Sequence, residues 1–516
     1  MLRFVICIAA VLVLRHPIQA RTIHVPGDHS TIQAAIASAS SGDTVVVASG
    51  RYFEHLELKP GISLRSEGTN DTGVERLQRA EATIIDGAHR VGEPGVRMAE
   101  GSSIDGFTIT NVGRYDEAIW TKHFDSNGEE LGDEEGSVQA EGTAPAVSVQ
   151  GCTCTITNCI VHHNGDVGIG ILGDVKSATT PVVVGNLVYR NMGGGIGVAE
   201  HAEAIVQRNT CRENLRAGIG CRKANPIIID NRCFENIRAG IGCREGAKPL
   251  IRNNQCYRNR RAGIGIRMQG TAPVVEGNEC WENEMAGIGC RDGTSPVLSN
   301  NVCYNNKMAG IGCRENAKPM IVGNECRHNE LAGIGLEMMA DALIHRNRCL
   351  DNKLVAIGVT GHSSATILDN QLSRNGGVPP IIAIKDNSVA RIHNNAITGG
   401  GVAAVLVQGN ATIEGNTFTG VGAKQGNAVW VWEQSTATIT NNTFNGYRTA
   451  VHATKANITA SGNRIRQFQK TAIIVKDSTM PAHIFGNIAF SADSKAQAVD
   501  LQGPSGIVRD NELKVE

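Results

Sequence analysis

Apolar residues come in short clusters along this chain, and the clusters recur. Ala309–Gly335 reads "AGIGCRENAKPMIVGNECRHNELAGIG" and closes on the four letters it opened with. Pieces such as "PMIV", "AGIGC", "PIIID" and "ATILD" are β-rich, and Asn, Gly or Pro bounds them. None is long enough for a helix with a buried stripe. The first glycine of the "GIG" triplet falls at Gly168, Gly195, Gly218, Gly240, Gly263, Gly287, Gly310 and Gly333, in steps of 22 to 27 residues, and a weaker copy follows at Val355–Thr360. Asparagines keep the same beat at Asn186, Asn209, Asn231, Asn254, Asn278, Asn301 and Asn324, and again at Asn164, Asn191, Asn214, Asn236, Asn259, Asn283, Asn306 and Asn329. From Asn370 to Asn511 the period loosens but persists. One turn of a parallel β-solenoid needs about this many residues, and its stacked coils lie about 4.8 Å apart. The asparagines then form ladders that satisfy the turns.

Strand alternation assigns the faces. In "RAGIGCR", Arg216–Arg222, it places Ala217, Ile219 and Cys221 on one side and Arg216, Gly218, Gly220 and Arg222 on the other. Stacked arginines resist burial, so the arginine side faces out. The inward site after "GIG" is Val198, Cys221, Cys243, Ile266, Cys290, Cys313 or Leu336, which marks a core position where cysteine acts as a small hydrophobe. A second column, Cys211, Cys233, Cys256, Cys280, Cys303, Cys326 and Cys349, reads the same way. Bridged neighbours and a metal are the other two readings of these thiols; no CxxC or Cys/His zinc spacing is present, and "CTC" at Cys152–Cys154 is the one close pair.

Composition narrows the class. Of 516 residues 41% are hydrophobic but only 4% aromatic, which suits a core of small and branched aliphatics. The formal net charge of −1 gives no basic bias toward nucleic acid. Residues 1–20, "MLRFVICIAAVLVLRHPIQA", carry Arg3, an apolar run Phe4–Leu14 and a small residue at Ala20, the pattern of a signal peptide. Its removal deletes Arg3 and Arg15, taking the charge from −1 to −3. The expectation is a periplasmic or secreted protein with no membrane anchor after cleavage. All the remaining cysteines lie between Cys152 and Cys349.

The period, the Asn-x-apolar pattern and the stretch "TIHVPGDHSTIQAAIASASSGDTVVVASGRYFEHLELKPGISLRSEG" resemble right-handed parallel β-helix proteins of the pectin-lyase-like superfamily. The nearer likeness is to their exported, NosD-like, carbohydrate-binding and sugar-hydrolysis group with PbH1 repeats. The resemblance implies an all-β fold, a single right-handed parallel β-helix with a short N-terminal capping helix. That helix is "STIQAAIASA", in which Ser30 and Gln33 make a capping box and Ile32, Ala35 and Ile36 an apolar face. The organisation follows: 1–20 signal peptide, 21–115 cap and opening coils, 116–145 an acidic insertion loop, 146–359 regular cysteine-bearing coils, and 360–516 looser coils.

Candidate chemistry lies on the outside. Arg222, Arg244, Arg267, Arg291 and Arg314 recur after the inward site, and Arg216, Arg238 and Arg261 flank the glycines on the other side, followed by Met285, Met308, Leu331 and Leu354. Gly218, Gly220, Gly240 and Gly242 typify two outward glycine columns, and glycine within a strand marks close approach of a ligand or backbone. One reading is a binding track for an anionic polysaccharide, since the guanidinium fork matches a carboxylate or sulfate. The other is a solvated face on which Glu245, Asp292 and Glu315 pair with the arginines. Lyases and epimerases of the resembled fold pair a cation with a base and an acid. Tyr115, Asp116, Glu117, His123, His162, His163 and Asp166 are the residues here that fit such a role, whereas no hydrolase or pectin-esterase motif is complete. Calcium is one metal the sequence leaves open, through the alternating oxygens Asp125, Asn127 and Glu129. Copper is the other: the NosD-like resemblance implies a copper-handling accessory protein using thiols, Met285, Met308, Met338, Met339, His162 or His163. A non-catalytic surface spacer is the third alternative.

Overall fold

Met320–Val322, Glu325–Arg327 and Ala332–Leu336 are the three strands of one coil. Each pairs in parallel and in register with its counterpart one coil on. Repeated along the chain, they form a parallel β-solenoid of three sheets, the first of them 20-stranded. The computed structural model describes residues 20–69, 77–126, 143–176, 178–421, 426–478, 481–503 and 506–515. The signal-peptide pattern of residues 1–19 lies outside them. Among the described residues no helix is long and apolar enough to cross a membrane.

Asparagine turns the corners. Asn324 stands between the first and second strands of its coil and Asn329 between the second and third. The Asn324 amide nitrogen donates to Asn347 Oδ1 at 3.0 Å and to Leu298 O at 2.9 Å. Its Oδ1 accepts from the backbone N–H and the amide of Asn301, both at 2.9 Å. A side chain 1% exposed is thus fully paired. This ladder runs from Asn186 to Asn511, the second from Asn164 to Asn352. The second stops where Arg374 takes over: its guanidinium donates to Asn352 O at 2.9 Å and Leu354 O at 2.7 Å.

The core fills the tube from end to end. Val198, Cys221, Cys243, Ile266, Cys290, Cys313 and Leu336 stack inside the third sheet. The seven-cysteine column from Cys211 to Cys349 stacks inside the second. It continues as Leu372, Ile397, Phe418 and Phe444, so the boundary of the cysteine region is a change of core volume and not of architecture. Every cysteine from Cys152 to Cys349 is buried and free. Burial drives the Cys233 and Cys256 thiols well above the ordinary thiol range and Cys159 up to about 12.

Two local expectations change. The helix α1, Ile32–Ser38, buries Ile32, Ala35 and Ile36, but Ser30 and Gln33 do not cap it. Thr31 is the N-cap and accepts from Ala34 N at 3.2 Å, while Glu54 of the following segment accepts from Ile32 N and Gln33 N at 2.9 Å. Gln33 instead pairs with the Glu57 backbone. Two further helices interrupt the coils, α2 (Gln78–Ala82) and α3 (Glu117–Asp125). The insertion therefore opens on a helix and not a loop: Asp116 caps α3 through Ile119 N, and Trp120 packs on Leu215 and Ile237 of the solenoid wall.

Because the thiols are buried, native protein is expected to react slowly with an aromatic disulfide reagent, with Cys152, whose thiol a hydrogen bond from Cys154 brings down to about 7, the first to be modified, and denatured protein to titrate all fourteen from Cys152 to Cys349. Fewer thiols after denaturation would reveal bridges.

Candidate functional site

The outer face of the third sheet carries a bare lane. In register along it stand Gly197, Gly220, Gly242, Gly265, Gly289, Gly312, Gly335 and Gly358. A methyl group at Gly220 would meet nothing within 4 Å, one at Gly242 or Gly289 would touch only an alanine Cβ at 3.6 Å, and one at Gly312 only two alanine Cβ atoms at 3.6 and 3.8 Å. The other glycine of each triplet is different. A Cβ at Gly240 would lie 2.8 Å from Gly263 O, 2.9 Å from the Asn259 amide and 3.1 Å from Cys256 Cβ. Gly218 and Gly240 are therefore pressed against the next coil and the ladder, and are not part of an outward floor as alternation had it. The strand begins only at Ile219, so the preceding Ala217 escapes the alternation as well. It faces out beside Gly242, and its column, with Ala239, Ala262, Ala286 and Ala309, floors the lane next to the glycines.

Pro145 closes one end of the lane, where a Cβ on Gly170 would meet Pro145 Cβ at 2.8 Å. One rim is the arginine column, and it is charge-paired. Arg222 reaches Glu200 at 3.2 Å, Arg244 reaches Glu245 at 3.5 Å, Arg291 reaches Asp292 at 3.5 Å and Arg314 reaches Glu315 at 3.4 Å. Arg267 continues the column. A hydrogen bond to the Asp292 carboxylate, which the protonated form of Glu315 donates, raises the Glu315 carboxyl above the usual range. The other rim holds Arg216, Arg238 and Arg261, then Met285, Met308 and the exposed Leu331 and Leu354. Burial pushes the Arg216 guanidinium down from its ordinary value, against the attraction of Asp166.

The proposed acid–base residues divide between places. His162, on the second sheet, and His163 face each other, Nδ1 to Nδ1, at 2.6 Å, so the neutral pair shares one proton. They line a recess of about 290 Å³ with Arg51, Thr110, Asn111 and Tyr115. His162 stacks on Tyr189 and Tyr115 meets His163 edge-on. Burial, reinforced by His163, lowers His162 to about 4, and burial lowers His163 too. Tyr115 donates to Glu117 at 2.7 Å, and burial raises its hydroxyl well above the usual range. Asp166 is buried in the turn beside Gly193 and Arg216, with its carboxyl raised by burial. His123 sits in the last turn of α3, its Nδ1 buried and unpaired among the described residues. Asp125 ends that helix; Asn127 and Glu129 lie outside the described residues. Among the described residues no three His, Cys, Asp or Glu side chains are grouped to hold a metal ion. The recess opens from the second sheet and the lane from the third, so the histidine pair and the arginine rim do not share one strand face.

Two features escaped the sequence reading. Phe234, Tyr257, Trp281 and Tyr304 stack in register outside the second sheet, at centroid distances of 4.7, 4.3 and 5.8 Å, with Arg327 over Tyr304. Their signal was the aromatic that follows four successive second-column cysteines, Cys233, Cys256, Cys280 and Cys303. The other is a recess of about 700 Å³ at the far end of the lane, whose signal was the repeated "GGV" at Gly376–Val378 and Gly400–Val402.

Comparison with known proteins matches the model of the right handed beta helix region over residues 136–279, 250–380 and 380–514. No curated protein matches. Among solved structures, the A-module of an Azotobacter vinelandii mannuronan C-5 epimerase is 13% identical, covering 92% of this chain and 94% of its own, with a TM-score of 0.30. The periplasmic alginate epimerase AlgG is 12% identical over 70% of this chain and 82% of its own, with a TM-score of 0.40. A Yersinia enterocolitica family 28 exopolygalacturonase is 12% identical over 78% and 76%, with a TM-score of 0.34.

Two predictions follow from this geometry. Gly240→Ala should cost about 1–3 kcal/mol through the carbonyl clash, whereas Gly242→Ala should be neutral or stabilise by up to about 1 kcal/mol; denaturant titration compares them. His162 is held neutral down to about 4, while an unfolded histidine protonates near 6.5. The unfolded state thus takes up the proton first as pH falls, so stability is full above about 6.5 and declines toward 4, by at most about 3 kcal/mol. His162→Phe should flatten that decline in denaturant midpoints measured across the window.

Proposed function

Because the chain belongs to the right-handed β-helix family, whose wall repeats one chemical position per coil, we propose that it binds an extended acidic polysaccharide along the glycine–alanine lane. The observation that carries this reading is the unneeded glycine. Glycine in a strand interior costs roughly 0.5–1 kcal/mol against alanine. The Gly218 column has no alternative, because a side chain there would strike the next coil. The Gly220 column has room for one from Gly197 to Gly335 and lacks it; only at Gly358 would a Cβ crowd a neighbour, Val355 Cγ2 at 3.3 Å. Nothing inside the fold asks for that bareness; a ligand lying on the wall does.

The repeat supports the class of ligand. Eight glycines span seven coil steps, about 34 Å at the spacing of stacked strands. One step is close to the length of a sugar unit, so a polymer laid along the axis meets the same floor at each residue. The arginine rim supports acidity. Its ion pairs are half-exposed and worth about 0–1 kcal/mol each, so a uronate or sulfate can replace the protein carboxylates at little cost. Export by the N-terminal signal would bring the lane to such polymers outside the cytoplasm. Binding carries the proposal and turnover does not, because the histidine recess opens from another sheet.

Affinity electrophoresis through polygalacturonate or alginate, with dextran as the neutral control, tests it. Gly265→Leu places a side chain in the lane and should keep the melting temperature while weakening retention roughly tenfold or more. Replacing Arg244, Arg267 and Arg291 together by Ala should weaken acidic retention and its salt dependence. Unchanged retention by Gly265→Leu would overturn the reading.

A further inference from the structure

The lane does not run on to the end of the solenoid. Its floor column steps from Gly358 to Ala383, Leu406 and Trp430 in successive coils, and then to His452. Side-chain bulk rises at each step until an indole stands where the glycines were. Trp430 stacks with Trp432 at 4.8 Å and lies over His452 at 6.0 Å, which fixes it in place. At this point the recess of about 700 Å³ opens beside it, lined by Gly376, Gly377, Val378, Gly401, Trp430 and Arg448.

Two polar groups in this recess are left wanting partners. The Trp430 Nε1–H is buried with no hydrogen-bond partner among the described residues. An unmatched buried donor is costly, so it marks a place where an acceptor from outside completes the site. Among the described residues the Arg448 side chain has only a long 3.5 Å bond to Asn427 Oδ1, and no carboxylate lies within ion-pair distance of it. This sets it apart from Arg222, Arg244, Arg291 and Arg314 of the rim, each of which has an acid beside it. Val378 is 71% exposed at the mouth and offers an apolar edge. Glycines give the backbone close approach.

We propose that this recess is an end-binding subsite that takes the terminal uronic acid residue of the polysaccharide in the lane. Arg448 receives the uronate carboxylate, the Trp430 N–H donates to a hydroxyl or ring oxygen, and the rising floor stops the chain from passing. The inference rests on the lane reading. It adds that the protein recognises chain ends and does not grip chains at random along their length.

Calorimetric titration of the full chain with a short oligogalacturonate, and with long polygalacturonate at equal mass concentration, tests this. Binding sites per gram should scale with the number of chain ends. Arg448→Gln and Trp430→Phe, which keeps a ring but removes the N–H, should each weaken oligomer binding roughly tenfold or more with melting temperatures preserved. If sites scale with mass, or both variants bind like the wild type while Gly265→Leu does not, the end subsite is overturned and the lane stands. If Gly265→Leu also binds like the wild type, the lane reading itself falls.

Discussion

The structure depends on one interaction repeated without drift: the buried asparagine that is hydrogen-bonded to the asparagine of the next coil. Each amide completes the turn of its own coil, accepts the backbone N–H of the coil before, and donates to the oxygen of the coil after. A coil that slipped by one residue would bury an amide with nothing to bond, at a cost of about 1–3 kcal/mol for each group left unmatched. It would also turn every side chain of the strand to the wrong face. The ladders therefore lock the register, and register turns a sequence of residues into a set of columns. Where the second ladder stops, a buried guanidinium takes over the orphaned carbonyls, so the corner is kept by other means.

Columns separate what the fold needs from what it tolerates. Inside the third sheet Val, Cys, Ile and Leu alternate in one column, so only apolar volume matters there. The cysteines belong to this class; they are interior filling, and their neighbours further along are Leu, Ile and Phe. The first glycine of each triplet is a demand of the fold, fixed by a carbonyl, an amide and a thiol-bearing Cβ at close range. The second glycine answers no such demand. The same letter, two residues apart, has two unrelated causes, and only the space around each one tells them apart.

Much of this was legible in the sequence. The period, the ladders and the inward cysteines follow from spacing and from comparing coils within one chain, and the resemblance of those motifs to the β-helix family agrees with the family match. What misled was alternation applied to residues that precede the strand. Ala217 and Gly218 look like strand, but the strand starts at Ile219, and the preceding turn points alanine outward and presses glycine inward. The helix cap was misplaced for a similar reason: Glu54 comes from a different segment, and no local pattern announces a cap supplied from a distance. The arginine column was read correctly as outward, while its pairing with Glu200 depends on which coil lies alongside. The Trp430 recess is a product of four coils that the looser C-terminal period hid.

A solenoid also measures. The lane's length is set by the number of coils that carry glycine, bounded by Pro145 at one end and by the step from Ala383 to Trp430 at the other. From the Ala217–Gly220 coil to the Ala332–Gly335 coil the floor is uniform, because each coil offers the same alanine and glycine. A uniform floor cannot distinguish one position of a polymer from the next; it gives affinity in proportion to length and lets the chain slide. Position is defined only where the repeat is broken. The breaks in this wall, the proline that covers Gly170 and the indole that replaces glycine, are thus where a repeating surface acquires a beginning and an end. The least repetitive coils of the chain are the ones able to give a repetitive ligand a register.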